Sequence, residues 1–303
     1  MRRHSRSCRA SIGRVRILRR ILPGLHTSPL LLALIATLLA ACSGAAAAPA
    51  AAPLSAPRGP AATLASCPLF PANNIWSTDI SKLPKDKHNS AWLRSMNSAS
   101  TYLHPDFGPS GGYPYGIPYT VVKSSHPLVH VSFTYASESD LRRYPFGRDT
   151  RIEGGQNAGG DRPALMLDKS SCTLYELYNA RFGSRARAGS GAIWNLRSNQ
   201  LRPAGWTSAD AAGLPILPGL LNYGQVKRAV QTKTPIRHAI RFTADRTRSA
   251  YIWPARHQAG NGGSMNLPPM GARFRLKLSF NVAGYCHNSS SCSREYRRAT
   301  SRP

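Results

Sequence analysis

Apolar residues recur at every second position in one segment after another of this chain, and that period decides the fold class. In residues 272–282, Phe274, Leu276, Leu278 and Phe280 share one side, and Arg273, Arg275, Lys277 and Ser279 share the other. Side chains alternate across an extended strand, so the pattern predicts a half-buried antiparallel strand with a basic outer face. Val129, Val131, Phe133 and Tyr135 alternate likewise in 128–135. In 237–243, His238, Ile240 and Phe242 oppose Arg237, Arg241 and Thr243. Residues 164–168 and 172–178 read as a hairpin turning near Asp168–Ser171, and 119–123, 191–196 and 250–253 add short strands. Helix signals are brief. Trp92 and Met96 stand one turn apart behind Asn89, and Thr207 and Asp210 stand at capping-box spacing before Gly213 and Pro215. Many short strands separated by Gly and Pro turns predict an all-β domain with few short helices, an antiparallel β-sandwich or jelly roll.

The N-terminal region has a different composition. Residues 2–20 carry eight Arg and no acid, and an apolar run follows from Pro29 to Ala40. A basic region, a short apolar stretch and small residues at the cut site describe a secretory signal over 1–41. The run is short for a membrane span, which needs roughly 20 apolar residues. Leu39-Ala40-Ala41-Cys42 resembles the bacterial lipobox, which makes Cys42 the expected lipidated N-terminus. Residues 42–65 are rich in Ala, Pro, Gly and Ser and read as a linker. Residues 66–283 form the expected β-sandwich domain, and 284–303 read as a disordered basic tail. Taking the eight leader arginines from the chain's net +27 leaves +19.

Export puts the cysteines in an oxidising compartment. With Cys8 in the leader and Cys42 lipidated, Cys67, Cys172, Cys286 and Cys292 remain, and four cysteines permit three pairings. We favour Cys67–Cys172, which clamps the start of the domain onto a strand. No Cys-x-x-Cys pair occurs, which argues against a zinc ribbon or a thioredoxin-like site.

From Cys67 onward the chain resembles an uncharacterised family of secreted bacterial proteins. The matching stretches include Cys67-PLFPANNIW, Leu103-HPDFG, Tyr115-GIPYTVV, Ile152-EGG, Cys172-TLYELY, Ser190-GAIWNL, Leu201-RPAGWTSADAAGLPILPGL, His238-AIRFT, Tyr251-IWPARH and Leu267-PPMGARFRLK. The resemblance implies fold and export and names no activity. The chain departs from the family at Pro163, where His is usual. Family members also continue past Val282 with another helix-like segment, so a truncated or frame-shifted terminus is the alternative to a native tail here.

Several motifs fail on context. Gly108-Pro-Ser-Gly-Gly112 matches Gly-x-Ser-x-Gly, but the flanking prolines read as a turn and not as a nucleophile elbow. His126 and His130 have helical zinc spacing, yet on a strand they stand about 13 Å apart, too far for one ion. No metal or cofactor is implied. The Gly-rich loop from Glu153 to Asp161 lacks the Gly-Lys-Ser/Thr of a phosphate loop.

Acids are scarce in so basic a chain, so those on an apolar face are candidates for chemistry. Glu176 alternates with Cys172, Leu174 and Tyr178, and a buried carboxylate must be paired, protonated or functional. With Glu153 and Asp161 it forms the candidate catalytic set for glycosidic cleavage. The bland reading pairs Glu176 with an Arg, makes the loop acids turn caps and makes Asp210 a helix cap. Arg237, His238, Arg256, His257 and Trp206 form a candidate cationic and aromatic groove for a uronate-containing glycan, to which His104 and Asp106 are added. The high charge raises nucleic acid as a partner, but no recognition motif supports it. The expected function is therefore that of an exported cell-surface lipoprotein, anchored to the membrane through its lipid, acting on an anionic or neutral polysaccharide as a hydrolase or lyase. The alternative is a non-catalytic domain that binds polysaccharide or a cell-wall polymer.

Overall fold

Ala164–Asp168 is buried at all five positions, and a strand covered on both faces belongs at the centre of a sheet. This is where the computed structural model puts it. The structure describes residues 62–101, 109–110, 113–114 and 116–276. The leader, Cys42, most of the linker, His104, Asp106, Cys286, Cys292 and the basic tail lie outside the described residues.

Ten strands occur among those residues: β1 (Thr63–Leu64), β2 (Cys67–Pro68), β3 (Pro109–Ser110), β4 (Tyr113–Pro114), β5 (Tyr119–Val122), β6 (Ser132–Phe133), β7 (Ala164–Asp168), β8 (Thr173–Tyr178), β9 (Arg187–Ala188) and β10 (Ser190–Asn195). The helices are α1 (Asn89–Ser95) and α2 (Tyr223–Thr232), joined by three short 3-10 turns. The chain is mainly β with few helices, as its alternation predicts. The largest sheet has four strands in the order β10-β8-β7-β5. β8 runs antiparallel to both β7 and β10, whereas β5 runs parallel to β7. That parallel pair departs from the all-antiparallel expectation.

The β7–β8 hairpin forms as read, with Asp168 opposite Thr173 and Ala164 opposite Leu177. Its turn is held by Asp168, whose carboxylate accepts from Ser170 N–H, Ser171 Oγ and Ser124 Oγ, each at 2.8 Å. Burial works against that charge, but the hydrogen bonds win and hold the carboxyl below its ordinary range. A disulfide joins Cys67 to Cys172 across this turn, with both residues buried. One face of the sheet packs Leu165, Leu167, Leu174, Ala192 and Trp194 against Cys67, Phe70, Ile216 and Leu217. The other packs Ala164, Met166 and Leu177 against Tyr144, Phe146 and Ile152.

Five readings need correction. Residues 237–243 form no strand. Ala239 N–H donates to Trp76 O and Arg241 N–H to Gly219 O, so the segment ties two loops together while Ile240 and Phe242 are exposed. Residues 272–276 have no regular structure. Phe274 meets Trp92 and Phe242 edge-on in place of a ladder, and 277–282 lie outside the described residues. Tyr251 makes only an isolated bridge to Met270, so 250–253 is not a strand. Residues 207–213 turn without forming a helix. There Ser208 Oγ bonds Asp210 O and Leu214 O and accepts from Asp210 N–H, and such local side-chain bonds compete with helical ones. α1 forms as read, but its cap is His88 with no side-chain bond. Ser110 lies in β3, opposite Tyr113 of β4, so a strand follows that serine where an elbow needs a helix.

Candidate functional site

Glu176 sits mid-β8 with none of its surface exposed. Its Oε1 accepts from Leu217 N–H at 2.9 Å and Ile216 N–H at 3.0 Å; its Oε2 accepts from Ile216 N–H at 3.0 Å and Trp194 Nε1–H at 3.3 Å. The partners are backbone and indole donors rather than the Arg of the bland reading. Burial pushes this carboxyl up to about 7, and the charge of Asp210 adds to the rise. The bonds from Leu217, Ile216 and Trp194 pull the other way. Glu176 thus fastens the start of the 3-10 turn Leu217–Gly219 onto the sheet. Asp210 caps no helix. It accepts weakly from Ala212 N–H, pairs with Arg241 at 3.5 Å, and is likewise raised by burial.

Glu153 is half-buried and Asp161 is exposed, so with Glu176 sealed the three acids do not line one open cleft. The loop between them is organised by a residue that sequence reasoning missed. Arg162 is 1% exposed. Its guanidinium donates to the carbonyls of Ala180, Gly155, Gln156 and Ala158, at 2.5 to 3.2 Å. Gly154 has φ +71°, and a Cβ there would come within 2.6 Å of Ala158 Cβ. The glycines therefore serve a tight wrap around an arginine, not a phosphate.

Trp206, Arg256 and His257 do come together, around a second missed arginine. Arg202 is buried and lies between Trp194 and Trp206, 5.7 and 5.3 Å from their ring centres. It pairs with Asp140 at 2.5 Å and donates to Thr207 O and Glu138 O. Asp140 also accepts from Ile193 N–H, closing the free edge of β10. Glu138 accepts from Thr207 N–H and stands 3.8 Å from His257 Nε2. Gly205 N–H donates to Arg256 O, which sets the Trp206 loop against the 256–257 segment. Arg256 uses its Nε on Arg202 O and is partly exposed. Trp206, His257 and Glu138 are all partly exposed.

Comparison with protein-family models, with curated proteins and with solved structures returned no match. The site is therefore read from its own residues. His238 stands elsewhere, contacting Ala239 O and Gln225 of α2, and burial lowers its pKa. Arg237 beside it is exposed. Among the described residues no group of three or more His, Cys, Asp or Glu could hold a metal ion. A shallow open groove of about 530 Å³ runs along Ile117–Val121, Asp149 and Arg151, with His126 3.2 Å from Asp149. The signal for Glu138 and Asp140 was available: two acids fall within three residues of a chain that has only 13.

Arg202→Met is expected to cost about 2–3 kcal/mol in chemical denaturation, because Asp140 and two carbonyls lose a charged donor. A loss below 1 kcal/mol, the level of a surface pair, would show that the stacked arginine is not what holds this loop.

Proposed function

We propose that this chain is an exported, lipid-anchored surface protein whose β domain holds an acidic polysaccharide or cell-wall polymer without cleaving it. The observation that carries the reading is the partly exposed Arg256, anchored through its Nε to Arg202 O and through its carbonyl to the loop of the half-exposed Trp206. A guanidinium fork suits a carboxylate, and an aromatic face beside it suits a sugar ring. His257 and Glu138 add polar groups at the same rim. The binding role is preferred to hydrolysis because Glu176, the strongest acid candidate, is sealed and already fully hydrogen-bonded. The basic leader ending at Cys42, the net charge and the resemblance to secreted proteins support export and an anionic partner. For the scaffold we retain the β-sandwich, since the central sheet is covered on both faces as a layered fold requires.

The test is retention of the protein on uronate-containing, sulfated and neutral polysaccharides, with the supernatant assayed for new reducing ends and unsaturated uronates. Retention on the uronate polymer without product is expected, and Trp206→Ala should weaken it by about tenfold, the equivalent of about 1.4 kcal/mol. Product from any polymer overturns the non-catalytic reading. Failure to be retained on any of them overturns binding.

A further inference from the structure

Helix α2 is ten residues long, and none of them is buried. It is nevertheless well built. Asn222 accepts from Gln225 N–H at 2.9 Å while the Gln225 side chain reaches back to Asn222 N–H, forming a complete capping box. A helix this short is marginal by itself and draws its stability from packing an apolar face. Here that face is open. Tyr223, Val226 and Val230 form an i, i+3, i+7 stripe, exposed by 80%, 38% and 39%.

Charge decides what fits the stripe. Lys227 and Arg228 are exposed on the same helix, and no Asp or Glu occurs between Asp210 and Asp245. Within that acid-free stretch Lys233 and Arg237 are also exposed, whereas Arg241 is paired with Asp210. An apolar stripe bordered by Lys227, with Arg228 on the opposite polar face and no acid on the helix to oppose an anionic surface, is the pattern of a helix lying in a membrane interface. Its side chains enter the acyl boundary and its lysine stems reach the headgroups.

We propose that α2 docks flat on an anionic lipid surface through Tyr223, Val226 and Val230, with Lys227, which borders the stripe, on the headgroups. The inference draws on the membrane-anchored placement of the chain and is independent of the polymer held at Trp206 and Arg256. Anionic headgroups attract a basic residue held near the bilayer, which serves to orient a domain that a lipid already tethers.

Amide hydrogen exchange of the full chain, read over 223–232, tests this directly. Phosphatidylglycerol vesicles should slow exchange in α2 several-fold, whereas phosphatidylcholine vesicles leave it unchanged. Val226→Glu with Val230→Glu, both at exposed positions, should abolish the protection while exchange in β7 and β8 stays as it was. Three results would overturn the proposal: equal protection by both vesicles, attachment to vesicles with α2 unprotected, or protection by soluble dextran sulfate alone, which would assign the face to a polymer. Loss of polysaccharide retention with vesicle protection intact would count against the Trp206 site only.

Discussion

Glu176→Ala is expected to lower the free energy of unfolding by about 3–5 kcal/mol, among the largest single-residue losses in this domain. The substitution strips an acceptor from Ile216 N–H, Leu217 N–H and Trp194 Nε1–H in a place without solvent. Each buried donor left unpaired costs about 1–3 kcal/mol, and the lost side chain leaves a cavity beside Trp194. Glu176→Gln tests the charge separately. An acid whose folded pKa lies above its unfolded value binds more protons when folded. Its stabilisation is full below the ordinary 4.5 and is lost as pH rises through about 7. That rise corresponds to about 3 kcal/mol. The stability of the natural protein relative to Glu176→Gln should therefore fall by about that much between pH 4 and pH 8 in urea titrations. Parallel pH profiles for the two proteins would mean that the carboxyl titrates normally and is not sealed.

Removing the Cys67–Cys172 bond by paired serine substitutions is expected to cost about 4–5 kcal/mol, on the loop-closure account. The two cysteines are 105 residues apart, so the crosslink removes a large share of the freedom of the unfolded chain. It also ties β2 to the turn that Asp168 organises, at the edge of the apolar cluster around Leu165 and Trp194. The paired variant and the reduced natural protein should show the same lowered midpoint in denaturant. A loss of less than 1 kcal/mol would mean that the bond is not formed in the folded chain or that the unfolded chain is already compact.

Where the sequence could be read, one segment carried its own answer. Residues 164–178 contain a continuous apolar run, a polar turn and an alternating return, and no distant partner is needed to interpret them. Tyr119–Val122 was legible as a strand, but its direction was not, because a parallel partner depends on the crossover and not on local pattern. Residues 237–243 alternate as well as any strand, yet their amides are taken by Trp76 and Gly219, two loops no local window contains. The helix predicted from Thr207 was lost to Ser208, whose hydroxyl offered the backbone closer partners. α2 was missed although Asn222 and Gln225 stand at capping-box spacing, since its apolar stripe is only three residues wide. At the candidate site, Trp206, Arg256 and His257 were legible as chemistry. Arg202, which gathers them, was visible only as one basic residue among 40.

Arg162 separates this domain's fastenings into two kinds. Carbonyl oxygens take no proton at any pH a protein meets, so acid does not weaken its grip on residues 155–158. The Arg202–Asp140 and His257–Glu138 contacts, by contrast, each join two side chains, so a substitution at either partner removes them. Sequence change can therefore rewrite the rim of the candidate site one side chain at a time, while the glycine loop stays closed on main-chain oxygens that every residue type supplies.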